Sequence, residues 1–140
     1  MTVNWKRWLD KGDIQTVHVN RKSLADLANL VDRDLNDAQV ASLSADRRFA
    51  IAYSAALNLA NYVIRKNGYR VTAKVGHHRI TFLIAGEALG RTAKNHLNYF
   101  DLCRRKRNKV DYDLAGVATD KDVADLIKQV MEFKSKCGPS

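Results

Sequence analysis

The chain has 140 residues, of which 46% are hydrophobic, with seven glycines and a single proline, Pro139. That is enough apolar material for one core, and so little proline favours helices over a β-sandwich or a disordered chain. The formal net charge of +9 has two readings, a field that attracts phosphate-bearing or acidic partners and a solvated surface that keeps the chain in solution. No apolar run approaches the roughly 20 residues that span a bilayer, and the N-terminal stretch lacks the apolar core of a secretory signal. The expectation is one cytoplasmic domain over 1–140, with no membrane contact. Two cysteines, Cys103 and Cys137, make neither a disulfide framework nor a metal motif, and no cofactor motif is visible.

Taken in chain order, residues 1–20 read as an N-terminal extension. It holds a short helix docked by Trp5, Trp8 and Leu9, then a connector over 12–20 that is locally extended at Val17–Val19. Ser23 is the expected cap of the next helix, whose apolar face is Leu24, Leu27, Ala28, Val31 and Leu35. Asn36 and Asp37 end it. Ser44 opens a long helix with Phe49, Ala52, Tyr53, Ala56, Leu59, Ala60 and Val63 at helical spacing. Asn67-Gly68 stops that helix, because glycine adopts the positive φ of a C-terminal cap. Residues 69–76 read as a basic loop. Helix resumes over 77–89 with Ile80, Leu83, Ile84 and Ala88 inward, and Gly90 permits a break. Ala93, Leu97, Phe100, Cys103, Arg107 and Val110 share one face of the following helix. Thr119 with Asp122 caps the last, whose stripe is Val123, Leu126, Ile127, Val130 and Cys137. The fold expected over 23–137 is all-α, a four-helix up-and-down bundle joined by short connections.

The charge is unevenly placed. Between Arg65 and Lys109 stand 12 Lys/Arg against two acids, a charge of +10, and the remainder has 12 against 13 and carries −1. Within that segment runs Arg104-Arg105-Lys106-Arg107-Asn108-Lys109. Arg107 falls on the apolar stripe, where an unpaired cation is costly. Two partners are open to it: Asp111, four residues on, or a phosphate held by the guanidinium forks of Arg104 and Arg107. His77 and His78 are adjacent and badly placed to share one metal. Their alternatives are packing at the start of the helix, or phosphate contact there beside Arg79. His96 is eleven residues before Arg107, about 16 Å along the helix, too far to act with it in one chain. Tyr69 offers either packing or a stacking face for a base.

The segment Arg107-Asn108-Lys109-Val110-Asp111-Tyr112, late in a helix of a basic bundle, resembles the Arg-Asn motif of HEPN domains. The helix around Tyr53–Leu57, the Gly68-Tyr69-Arg70 turn and the Gly76-His77-His78 stretch are similar to one bacterial branch of that superfamily. The resemblance covers roughly Ser23 to Cys137. It implies a helical bundle that dimerises around two Arg motifs. It also implies work on RNA or nucleotides, often in toxin–antitoxin or phage-defence systems with a cognate antitoxin or nucleotidyltransferase partner. In active members the Arg and a His five residues later cleave RNA without metal.

Here Tyr112 occupies the position of that His. A tyrosine ionises near pH ~10 and is a poor general base at neutrality. The expected function is therefore RNA or nucleotide binding by a homodimer. Arg104, Arg105, Arg107, Asn108, Lys109, His78 and Arg79 contact phosphate, and Arg107 and Tyr112 are the catalytic candidates. The first alternative is an active metal-independent ribonuclease toxin using Arg107. The second is a non-enzymatic interaction module whose basic face binds an acidic protein.

Overall fold

The long helix α3 (Ala45–Lys66) is the axle of the molecule. Its alanines at 52, 55, 56 and 60 are all fully buried. Such short side chains let neighbouring helices approach closely while Phe49, Tyr53 and Leu59 fill the remaining space. Helices α2 (Arg21–Asp37), α4 (His77–Leu89), α5 (Arg91–Tyr112) and α6 (Asp120–Cys137) all pack on it. The structure is a computed structural model and describes residues 3–112 and 115–138, with the side chains of 110–112 outside that description. Among the described residues there are six helices and two short strands. No helix among them is long and apolar enough to cross a membrane.

Three local expectations change. The described residues form five long helices rather than four, because Gly90 adopts φ +77° with ψ −159°, a conformation that breaks the helix outright. The extended segment is also earlier than the Val17–Val19 pattern suggested. Strand β1 (Ile14–Thr16) pairs antiparallel with β2 (Tyr69–Val71), Ile14 opposite Val71, inside what read as a basic loop. Ile14 is buried there with Trp8, Ile64 and Ile84 in a small second core, and Trp5 stacks on Tyr69 with ring centroids 4.5 Å apart. The N-terminal extension, including α1 (Trp5–Asp10), is thus bound to the body through this ribbon. Finally, α2 begins two residues before Ser23. The Asn20 side chain caps it, accepting from the Lys22 and Ser23 amides at 2.8 and 3.2 Å.

Other expectations match the structure. Ser44 caps α3, and Thr119 with Asp122 forms a reciprocal capping box on α6. An aromatic cluster joins the helices: Phe100 of α5 meets Phe82 of α4 at 5.9 Å and Phe133 of α6 at 5.4 Å. Phe82 and Phe133 were absent from the predicted stripes. Leu83 was expected inward and is 46% exposed, because α4 turns Phe82 rather than Leu83 to the core. The thiols of Cys103 and Cys137 are buried, and burial raises the first to about 11, as befits small core residues. His96 is a packed core residue. Its Nδ1 lies 2.6 Å from the Gln129 amide oxygen, and its Nε2 lies 3.0 Å from the Lys136 ammonium.

Candidate phosphate-binding cleft between α4 and α5

The break at Gly90 folds α4 back along α5, and a register can be read from their contacts. Gly86 faces Leu97, close enough that a β-carbon there would sit 3.6 Å from Leu97, and Phe82 faces Phe100. One more turn towards the start of α4 brings His78 opposite Arg104 and Arg107. At that end lies a cleft of ≈ 430 Å³, lined by Gly76, His77, His78, Arg104, Arg107 and Asn108.

Each side chain is held by its own element. Gly76 takes φ +79° to start α4 and caps it with no side chain, so the positive end of the helix dipole borders the cleft. The His77 ring places Nδ1 2.9 Å from the Lys74 carbonyl oxygen. A carbonyl only accepts, so Nδ1 carries a proton and Nε2 is the nitrogen left for other partners. His78 Nδ1 lies 3.2 Å from the Tyr53 hydroxyl, and its ring stands 4.5 Å from His77, edge to face. Burial, then the charges of His77, Arg107 and Arg104, lower His78 to about 4, so it is neutral at physiological pH. Burial raises Tyr53 far above the usual phenol range, so it stays protonated. Its ring lies 5.8 Å beneath the Arg107 guanidinium, a cation–π contact that positions the arginine. Arg104 donates from Nε to Asp101 at 2.9 Å.

The basic run is therefore divided by the helix. Arg104, Arg107 and Asn108 reach the cleft. Lys106 turns to α6, where it pairs with Asp122 at 2.8 Å and lies over Phe49. Arg105 and Lys109 are exposed and outside the lining, and Arg79 lines a neighbouring, smaller cleft. The side chains of Tyr112 and of Asp111, the sequence-derived partner for Arg107, lie outside the described residues. Two participants were left out of the contacts expected from the sequence. His77 was weighed only together with His78, although paired histidines at a helix start are a usable signal. Tyr53 read as core, and only its register against α4 exposes the role of its hydroxyl.

A larger cavity, ≈ 530 Å³, lies between α2 and α3 beside Asp34 and Asp37. Its chemistry is wrong for an anion. The buried Asp34 carboxylate is already met by Arg33 at 3.0 Å and Asn58 at 3.3 Å, and Asp37 adds a second negative group. Among the described residues, the lining of the α4–α5 cleft instead gathers two guanidinium groups, two imidazoles and an amide, with no carboxylate. Such a donor set suits a phosphate oxyanion. In class, then, the molecule is a mostly helical protein with a His/Arg cleft between two antiparallel helices. No family model, curated protein or solved structure matches the chain.

Proposed function

We propose that this protein binds phosphate groups of RNA or of a nucleotide in the α4–α5 cleft, as a HEPN-like helical bundle. The observation that carries the reading is the convergence of His77, His78, Arg104, Arg107 and Asn108 from two helices on one cleft. The +10 charge of residues 65–109 adds a long-range field that attracts polyanions. The proposed setting is a cytoplasmic homodimer of a toxin–antitoxin or phage-defence system with an antitoxin or nucleotidyltransferase partner. That setting rests on the sequence resemblance alone. The test is titration of labelled single-stranded RNA and of inorganic phosphate against wild type and Arg107→Ala at two salt concentrations. Salt-sensitive binding that weakens in the variant is expected. Tight binding to an acidic protein, with none to RNA or phosphate, would replace this reading with the interaction module.

One observation favours a second reading, the metal-independent ribonuclease. With Nδ1–H committed to the Lys74 carbonyl, a neutral His77 has a lone pair on Nε2, the form a general base needs. Arg107 and Arg104 would stabilise the charge that builds on phosphorus. The histidine that the motif lacks at Tyr112 would then come from α4. Incubating RNA with chelator separates the readings: cleavage lost in both His77→Ala and Arg107→Ala supports an enzyme, and intact RNA supports a binder.

A further inference from the structure

The groove between α4 and α5 does not end at the phosphate cleft. One turn along the hairpin lies a second hollow of ≈ 190 Å³, lined by Arg79, Phe82, Leu83, Leu97, Asn98 and Asp101. The two share a wall, because Arg104 of the first is bonded to Asp101 of the second at 2.9 Å. His78 and Phe82, four residues apart, set the offset at about 6 Å along the helix axis. A ribose joining a phosphate to its base bridges a separation of that order.

We infer that this second hollow is a base-binding subsite, so that the groove takes a nucleotide with its phosphate at Arg104 and Arg107 and its base against Leu83. The inference rests on the phosphate-binding reading of the first cleft. Its chemistry differs from that cleft's. Leu83 is 46% exposed on a helix whose other large apolar residues pack inward, and Phe82 and Leu97 give the floor an apolar character. A flat base covers such a surface without requiring charge. The polar rim supplies recognition. The Asn98 amide presents an N–H donor and an oxygen acceptor side by side, the pattern that pairs with adenine. One oxygen of Asp101 accepts from Arg104, and a carboxylate has a second to accept from an exocyclic amino group. Adenine, cytosine and guanine carry that amino group and uracil does not. Arg79 on the opposite lip offers its guanidinium plane as a further stacking face.

The experiment is calorimetric titration of the full chain with inorganic phosphate, ribose phosphate and the four nucleoside monophosphates. Wild type should bind adenosine monophosphate roughly ten-fold more tightly than ribose phosphate, the order expected for stacking one base. Uridine monophosphate should be the weakest nucleotide. In Leu83→Ser and in Asn98→Ala, both at exposed positions, the advantage of the base should shrink while ribose phosphate affinity is unchanged. Methyl signals of Leu83 and Leu97 should shift on adding adenosine monophosphate and stay fixed on adding phosphate. Equal affinity for ribose phosphate and all nucleotides would overturn the subsite and leave the phosphate cleft standing. Tightest binding of uridine monophosphate would remove Asn98 and Asp101 as the groups that read the base. Failure of every phosphate-bearing ligand to bind would overturn the phosphate-binding function together with the subsite.

Discussion

Replacing Arg107 by alanine is the sharpest perturbation of the cleft. The guanidinium sits among His77, His78, Arg104 and Asn108 with its central carbon 5.8 Å from the centre of the Tyr53 ring. A directed, charge-assisted hydrogen bond to phosphate contributes about 1.5–3 kcal/mol. Its loss should raise the dissociation constant for RNA or a nucleotide by roughly 10- to 150-fold. The comparison is with cations of equal formal charge elsewhere. Lys134 is already paired to Asp32 at 2.6 Å, and Lys11 is an exposed surface residue. Lys134→Ala and Lys11→Ala remove only screened charge, so each should change affinity by less than about three-fold. Arg107→Lys should fall between, because the charge stays while the planar fork is lost. The cation–π contact with Tyr53 is worth about 0.5–2 kcal/mol, small against the ~5–15 kcal/mol by which domains are stable. Circular dichroism of the variant should therefore match wild type. Fluorescence anisotropy with labelled RNA, repeated over a salt series, reads the affinities. If Arg107→Ala and Lys134→Ala weaken binding equally, the arginine acts only as diffuse charge and the geometric reasoning is refuted.

Further outcomes follow from the packing and the titrating groups. His78 is held near 4 against an ordinary value of 6.5, so the unfolded chain binds a proton that the folded chain refuses. Stability contributed at this site is complete above pH ~6.5 and is lost as the pH falls towards 4. Discounted for a partly exposed ring, the loss is roughly 1–2 kcal/mol, read by urea unfolding at stepped pH. A His78→Phe variant whose pH dependence equals wild type would discard the assignment. Phe100→Ala empties the junction of α4, α5 and α6 and should cost about 3–5 kcal/mol, measured by the shift in denaturation midpoint. Thr119→Ala breaks the capping box of α6 and should cost about 1 kcal/mol, with cleft affinity unchanged.

Much of the helical layout was legible along the chain. The spans of α4 and α6, the Ser44 and Thr119 caps and the stop at Asn67-Gly68 follow from local chemistry, namely side chains that satisfy their own helix ends and a residue free of a β-carbon. The apolar stripe of α3 was equally plain, since seven residues at helical spacing have no other use for one face. The β1–β2 ribbon was not legible. Three-residue strands carry almost no period, and only pairing across more than fifty positions gives Ile14 a buried partner surface. The inward choice of Phe82 over Leu83 was hidden for a similar reason, because both fit a helical stripe and the aromatic space left by Phe100 decides between them.

The site divides in the same way. The sequence by itself determined that the chain is rich in helix, that its positive charge is concentrated over 65–109, and that Arg104 and Arg107 share a helical face. Those properties are local: composition, spacing and the period of one helix. Only the tertiary structure decided which cations converge. It turned Lys106 to Asp122 on α6, left Arg105 and Lys109 outside the cleft lining, and brought His77 and His78 across from Arg107 with Tyr53 beneath it. Proximity between residues some 25 to 55 positions apart depends on how Gly90 folds α4 against α5 and how both pack on α3, and no residue's nearest neighbours in the chain encode that distance.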